Sequence, residues 1–121
     1  MSLLANIVVA LIAALHVYIL VLEMFLWEKP AGRRAFGTTA EQAAASKVLA
    51  ANQGLYNGFL AAGLLWGLLL GNGGQGQAVK MFFLGCVLVA GLYGGATANR
   101  RILFIQALPA AIGIVLVWLA G

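Results

Sequence analysis

The chain has 121 residues, of which 64% are apolar and 8% are charged, and its formal net charge is +4 at pH 7. A soluble globular domain has about 45–50% apolar and about 25% charged residues, so this composition excludes a soluble enzyme, a disordered tail and a nucleic-acid-binding domain. The bases lie in short groups between apolar runs. The sequence therefore predicts an all-α integral membrane protein with membrane lipid, and no nucleic acid, as a partner.

Four apolar runs are long enough to cross a bilayer, which takes about 20 mostly apolar residues in a helix. They lack the alternation of a β-barrel. The first run is too long for a signal peptide and has no base before it, so we expect it to be retained. The sequence predicts one domain, residues 1–121, built as a bundle of four transmembrane helices. The predicted spans are residues 3–27, 48–70, 79–98 and 102–119, and residues 28–47 connect the first two.

Local signals predict where these helices begin and end. Pro30 has no N–H and Gly32 tolerates unusual dihedral angles, so we expect the first helix to end there. Thr38 and Glu41 have the spacing of a capping box with Thr38 as the N-cap, and the helix that follows is expected to run unbroken over residues 40–70.

Two further signals lie in the second half of the chain. The Gly- and Gln-rich residues 71–77 predict a flexible loop, and residues 97–101 predict a tight turn. Pro109 lies deep in the fourth span and predicts a bend in that helix.

Orientation follows from the bases. Six of the seven lie in the connections between spans 1 and 2 or between spans 3 and 4, and Lys80 alone lies on the other side. The positive-inside rule then predicts cytoplasmic connections, with both termini outside (N-out, C-out), in a multi-pass protein of a bacterial inner membrane. An alternative explanation for these bases is that Arg33/Arg34 or Arg100/Arg101 bind an anionic ligand. The six bases are Lys29, Arg33, Arg34, Lys47, Arg100 and Arg101.

Glycines recur four residues apart in spans 2 and 3. Small residues allow membrane helices to approach closely, so the pattern predicts that the hairpin of spans 2 and 3 is the tightly packed centre. The contacts are either within one chain or between the chains of a homo-oligomer. The glycines are Gly54, Gly58, Gly63, Gly67 and Gly71 in and after span 2, and Gly91 and Gly95 in span 3.

Ionisable groups at membrane depth are costly and are candidates for function. His16 and Glu23 are seven residues apart, so they share one face of the first helix. Antiparallel alignment of the spans predicts a polar layer at the depth of Glu23, and the Asn52/Tyr56 face of span 2 is expected to meet the His16/Glu23 face. The predicted ligand-binding residues are His16, Glu23, Asn52, Gln53, Tyr56, Asn57, Tyr93 and Gln106.

Alternatively, the same residues have purely structural roles. Asn, Gln and Tyr side chains bridge membrane helices for roughly 0.6 kcal/mol each, and Glu23 could reach the interface or pair with Lys29 or Lys47. One histidine does not provide bis-His haem ligation, and zinc takes roughly three or four protein ligands. We therefore expect no cofactor and no metal.

The stretches at residues 22–27 and 48–63, with Asn-Gln-Gly-Leu-Tyr-Asn-Gly at residues 52–58, resemble the "domain of unknown function 1304" family of small bacterial membrane proteins. The likeness covers essentially the whole chain, including the four spans and His16 in the first. It implies a topology and no activity. By analogy only, small multidrug-resistance transporters also have four helices and a glutamate in helix 1, and the sterol-isomerase-like membrane fold uses His and Glu on an apolar substrate.

These observations favour binding or transport of a small, largely apolar molecule, with Glu23 as the protonatable group that exchanges a proton for a cationic or hydrogen-bonding ligand. A second hypothesis is a membrane enzyme that performs acid/base chemistry on a lipid-like substrate. A third is a non-catalytic accessory subunit of a membrane complex. A closed apolar chamber beside His16 would favour the enzyme, an open path would favour transport, and a solid, fully paired core would favour the accessory subunit.

Overall fold

The computed structural model describes residues 1–121 and contains helices without strands, so the predicted all-α class is confirmed. By contact the chain divides into unit 1, Met1–Ala13 with Ala62–Gly121, and unit 2, Ala14–Ala61. The helices are α1 (Ser2–Met24), α2 (Pro30–Phe36), α3 (Ala40–Ala45), α4 (Lys47–Leu69), α5 (Gly74–Thr97), a π-helical turn (Leu103–Ala107) and α6 (Leu108–Ala120).

Three helical segments are long and apolar enough to cross a membrane, namely Ser2–Met24, Gly74–Thr97 and Leu103–Ala120. Large apolar side chains such as Leu11, Phe82 and Trp118 are exposed on them, as is usual for helices that face lipid. These features indicate a membrane protein. The predicted second span corresponds to α4, which is not one of these three segments. It has 23 residues, but three amides, Asn52, Gln53 and Asn57, lie in its first half.

The connection after α1 differs from the prediction. The helix ends at Met24, and Pro30 begins a new helix, α2, instead of only stopping the old one. Proline suits the first turn of a helix, where its missing N–H has no intrahelical partner. Gly32 lies inside α2, where a Cβ would collide with the carbonyl of Leu26. Glycine is therefore needed there for close approach and not for an unusual dihedral angle.

The capping box lies one residue later than predicted. Thr39, not Thr38, is the N-cap: its Oγ1 accepts a hydrogen bond from the Gln42 N–H (3.1 Å), and Gln42 Oε1 accepts one from the Thr39 N–H (3.0 Å). The Thr38 N–H instead bonds to the carbonyl of Arg33 (3.0 Å). Thr38 therefore belongs to the end of α2, and Glu41 is not the box partner.

The expected continuous helix over residues 40–70 is also wrong, because it is interrupted at Ser46 between α3 and α4. Ser46 Oγ donates to the Gln42 carbonyl (2.7 Å) and accepts from Trp27 Nε1 (3.2 Å). Serine that bonds back to the preceding turn weakens and bends a helix. At the other end of α4, the predicted loop is shorter than residues 71–77, since α5 already begins at Gly74.

In unit 1, glycines provide two separate helix contacts. A Cβ on Gly63 of α4 would strike the ring of Phe83 in α5. A Cβ on Gly91 of α5 would lie 2.7 Å from the backbone N of Ala107. The glycines of span 3 therefore face the π-helical turn and not span 2, so the predicted centre between spans 2 and 3 is only partly right.

The π-helical turn lies just before Pro109 in the chain. The Leu108 N–H bonds to the carbonyl of Leu103, five residues earlier, and Pro109 follows at once in the first turn of α6. The irregularity predicted at Pro109 is thus a locally widened turn that precedes the proline.

Gly→Ala substitutions, each of which adds one methyl group, test these two helix contacts. Gly91→Ala should destabilise the fold by about 1–3 kcal/mol, because the methyl group meets backbone that cannot move aside. Gly63→Ala should destabilise it less, since the Phe83 ring can turn. The control is Gly85→Ala, where nothing lies within 4 Å of the added Cβ. Thermal unfolding in detergent measures the three variants, and a Gly91→Ala protein that melts like Gly85→Ala would show that this contact is absent.

Candidate functional site

The first polar cluster lies in unit 2, where α1 meets α4. Glu23 is in the last turn of α1 and is 5% exposed. Asn57 Nδ2 of α4 donates a hydrogen bond to Glu23 Oε1 at 2.7 Å. A bond to a carboxylate is stronger and shorter than one between neutral groups. A buried carboxyl group and an amide thus connect two helices directly.

Two glycines bring α1 and α4 close enough for this bond. A Cβ on Gly54 would lie 2.5 Å from Met24 Cγ and 3.1 Å from Glu23 Cβ, and a Cβ on Gly58 would lie 2.7 Å from Leu20 Cδ1. Glycine on this face removes the side chains that would separate the helices. Asn57, between these two positions, can therefore reach Glu23 with its short side chain.

The face of α4 that meets Glu23 is not the predicted Asn52/Tyr56 face. Asn52 is exposed, and its Nδ2 donates to the Val48 carbonyl of its own helix (3.1 Å). Tyr56 is 61% exposed. The reason is packing: the glycines at 54 and 58 select the contact face, and Asn57 lies beside that face whereas Asn52 and Tyr56 do not.

The other predicted site residues have different settings. His16 is fully buried, two turns before Glu23 on α1. Gln53 is exposed in unit 2. Tyr93, on α5, is exposed, and Gln106 is half-buried in the π-helical turn; both belong to unit 1. The structure thus joins Glu23 with Asn57, and a ligand role for the whole set stays a prediction.

Neutral Asn57, and not a lysine, bonds to Glu23. Lys47, an expected candidate, pairs with Glu28 at 3.4 Å on the exposed surface. Glu23 therefore retains a buried carboxyl group held by an amide that can rotate to donate or accept. Such a pair can bind a ligand that carries a positive charge or a hydrogen-bond donor.

A second polar cluster lies in unit 1 and was not predicted from the sequence. Lys80 is 3% exposed, and its Nζ donates to Asn6 Oδ1 at 3.1 Å. Asn6 Nδ2 in turn donates to Asn72 Oδ1 at 3.0 Å. The sequence did contain a signal: Asn6 is near the start of the first span and Lys80 near the start of the third, which an antiparallel order places at the same end.

Comparisons with known proteins give a family and a relative. The family described as "Protein of unknown function (DUF1304)" matches residues 10–118. The "Uncharacterized protein YpaA" of Lactococcus lactis subsp. lactis (strain IL1403) is 33% identical over 108 residues, which cover 88% of this chain and 89% of that protein. No solved structure matches the chain. Both Glu23 and Asn57 lie within the matched residues.

The Glu23–Asn57 bond can be tested with two substitutions on the same helix. Asn57→Leu should lower the free energy of unfolding by about 1–3 kcal/mol, because it removes the donor to a buried carboxyl group. Asn52→Leu, the matched control, should change it little, since that side chain is exposed and bonds to its own helix. Unfolding in detergent measures both.

A double-mutant cycle makes the same test stricter. In a Glu23→Leu background the cost of Asn57→Leu should largely disappear, because the two residues act as one pair. An Asn57→Leu cost that is unchanged in that background would contradict a direct bond.

Proposed function

The chain belongs to the DUF1304 family, as its residues 22–27 and 48–63 predicted, and we propose that it is a multi-pass protein of the bacterial inner membrane that binds or transports a small, largely apolar molecule. The observation that carries this proposal is the buried Glu23 carboxyl group, bonded by Asn57 across two helices. Ionisable groups within membrane helices are expensive and usually functional.

We also propose that α4 crosses the membrane as a fourth span. It has 23 residues, and a helix needs about 20 to cross a bilayer. The bases support this topology. Since α5 is long and apolar enough to cross, residues 29–47 and Arg100/Arg101 share one side only if α4 crosses as well. With four crossings, the basic connections face the cytoplasm and both ends face outward.

Alkaline phosphatase fusions test this topology, because the enzyme is active only outside the cytoplasm. Fusions after Gly73 and Gly121 should be active, and a fusion at Gly37 should be inactive. Equal activity at Gly37 and Gly73 would show that α4 does not cross. The reverse pattern at all three positions would overturn the orientation.

In the proposed mechanism, Glu23 is the group that exchanges a proton for ligand. A cationic or hydrogen-bonding ligand bonds to the carboxylate as the proton leaves, and the proton returns when the ligand departs. Asn57 holds the carboxyl group in place and offers a second polar contact. His16, buried two turns away on the same helix, contributes to the apolar end of the site, where most of the ligand would lie.

Glu23→Gln separates this function from a structural role, since it keeps size and hydrogen bonding but removes the exchangeable proton. Its matched control is Glu28→Gln, the same change at an exposed glutamate. Wild type and control should bind the lipophilic cation tetraphenylphosphonium and release protons, whereas Glu23→Gln should bind roughly tenfold or more weakly without proton release. Binding is titrated from about pH 5 to about pH 9.

Native mass spectrometry of the purified proteins provides an unbiased second measurement. A co-purifying molecule should be retained by Glu28→Gln and lost from Glu23→Gln, and His16→Ala should weaken its retention. If Glu23→Gln binds both the probe and the co-purifying molecule normally at every pH, the proton-exchange function is wrong and the accessory-subunit hypothesis leads.

A further inference from the structure

Lys80 is buried in unit 1 together with neutral partners. The residue is 3% exposed, whereas a lysine near a helix end ordinarily extends its ammonium group towards the headgroups. Room for it is provided by Gly67 of α4, where a Cβ would lie 2.6 Å from Lys80 Cγ. Glycine at 67 therefore permits the lysine stem to pack against the α4 backbone, so the burial of this lysine is a feature of the helix contact itself.

Unit 1 contains no acidic side chain to balance this ammonium group. The three acids of the chain, Glu23, Glu28 and Glu41, all belong to unit 2. Lys80 instead donates to Asn6, and Asn6 donates to Asn72. Buried charges are normally compensated by an opposite charge. Lys80 thus bonds to an amide and forms no ion pair.

A small cavity lies beside this chain of hydrogen bonds. Its volume is about 10 Å³, and its polar side chains are those of Asn6, Asn72, Gln77 and Lys80. Small and apolar residues, Gly121 among them, complete the lining. A space of this size accepts one water-sized group, which is too small for a whole phosphate but sufficient for one of its oxygen atoms. Asn6 and Lys80 lie within the first two turns of α1 and α5, where a spanning helix meets the headgroup region.

We propose that Lys80, Asn6 and Asn72 form a binding site for one oxygen of a phosphoryl anion, with the headgroup of an anionic lipid as its source. The ammonium group of Lys80 provides the charge and one hydrogen bond, and the amides provide further donors. The remainder of the phosphoryl group stays outside the cavity. This site is independent of Glu23 and of the function proposed for it.

The test compares thermal unfolding of the purified full chain in detergent with added phosphatidylglycerol, phosphatidylcholine or inorganic phosphate. Phosphatidylglycerol should raise the Tm of the wild type above the value in phosphatidylcholine. Lys80→Met, which keeps the length of the stem, should reduce the apparent affinity roughly tenfold or more, the loss of one charge-assisted hydrogen bond. Lys29→Met, the same change at an exposed lysine, should retain the full shift.

The inorganic phosphate arm distinguishes the two sources. A shift with phosphatidylglycerol alone assigns the lipid headgroup, and a shift with phosphate as well supports a phosphoryl site open to both. If neither anion shifts the wild type, or if Lys80→Met keeps the full shift, the proposal is wrong.

Asn72→Asp decides the question even if Lys80→Met does not fold. Asn72 is exposed, and an aspartate there can still accept from Asn6 while it supplies a carboxylate inside the site. The variant should be at least as stable as the wild type without lipid and should lose the phosphatidylglycerol shift. An unchanged shift in Asn72→Asp would overturn the proposal.

Discussion

Helices in lipid are not driven together by the hydrophobic effect, since lipid tails are as apolar as leucine side chains, so contact has to come from close packing and from a few hydrogen bonds. Each unit of this chain meets that constraint in the same way. In unit 2, Gly54 and Gly58 admit α1 beside the Glu23–Asn57 bond. In unit 1, Gly67 admits Lys80 beside its bond to Asn6. A missing side chain on one helix permits a polar bond from another.

The lipid environment also explains which parts of the fold could be predicted from the sequence. Long apolar runs specify helices directly, because the backbone in lipid has to satisfy its own hydrogen bonds. The boundaries are decided by interactions that a pattern does not contain. Thr39 is the N-cap of α3, whereas the Thr38 backbone bonds back to Arg33 of α2. At the interruption, Ser46 bonds both to the preceding turn and to Trp27, a residue distant in the chain.

The candidate site was predictable in composition but not in pairing. Helical spacing identified Glu23 and the Asn52/Tyr56 face of span 2, and Asn57 was named only as one of the candidate ligands. The face of α4 that meets α1 is selected by Gly54 and Gly58. Their spacing was visible in the sequence but was attributed to the hairpin of spans 2 and 3. Likewise Lys80 was recognised only as the one base on the other side of the membrane, and only the folded chain shows that it bonds to Asn6.

The π-helical turn at Leu103–Ala107 also changes how the last helical segment should be interpreted. One extra residue in a turn offsets the side chains after it by about 100° relative to those before it. Ile102 and Gly113 therefore do not share the face that an unbroken period of 3.6 residues would assign to them. A helical wheel drawn through the whole segment would assign lipid-facing and protein-facing positions correctly on one side of the turn and incorrectly on the other. Any spin-label or cysteine scan of this segment has to be phased separately before Leu103 and after Ala107.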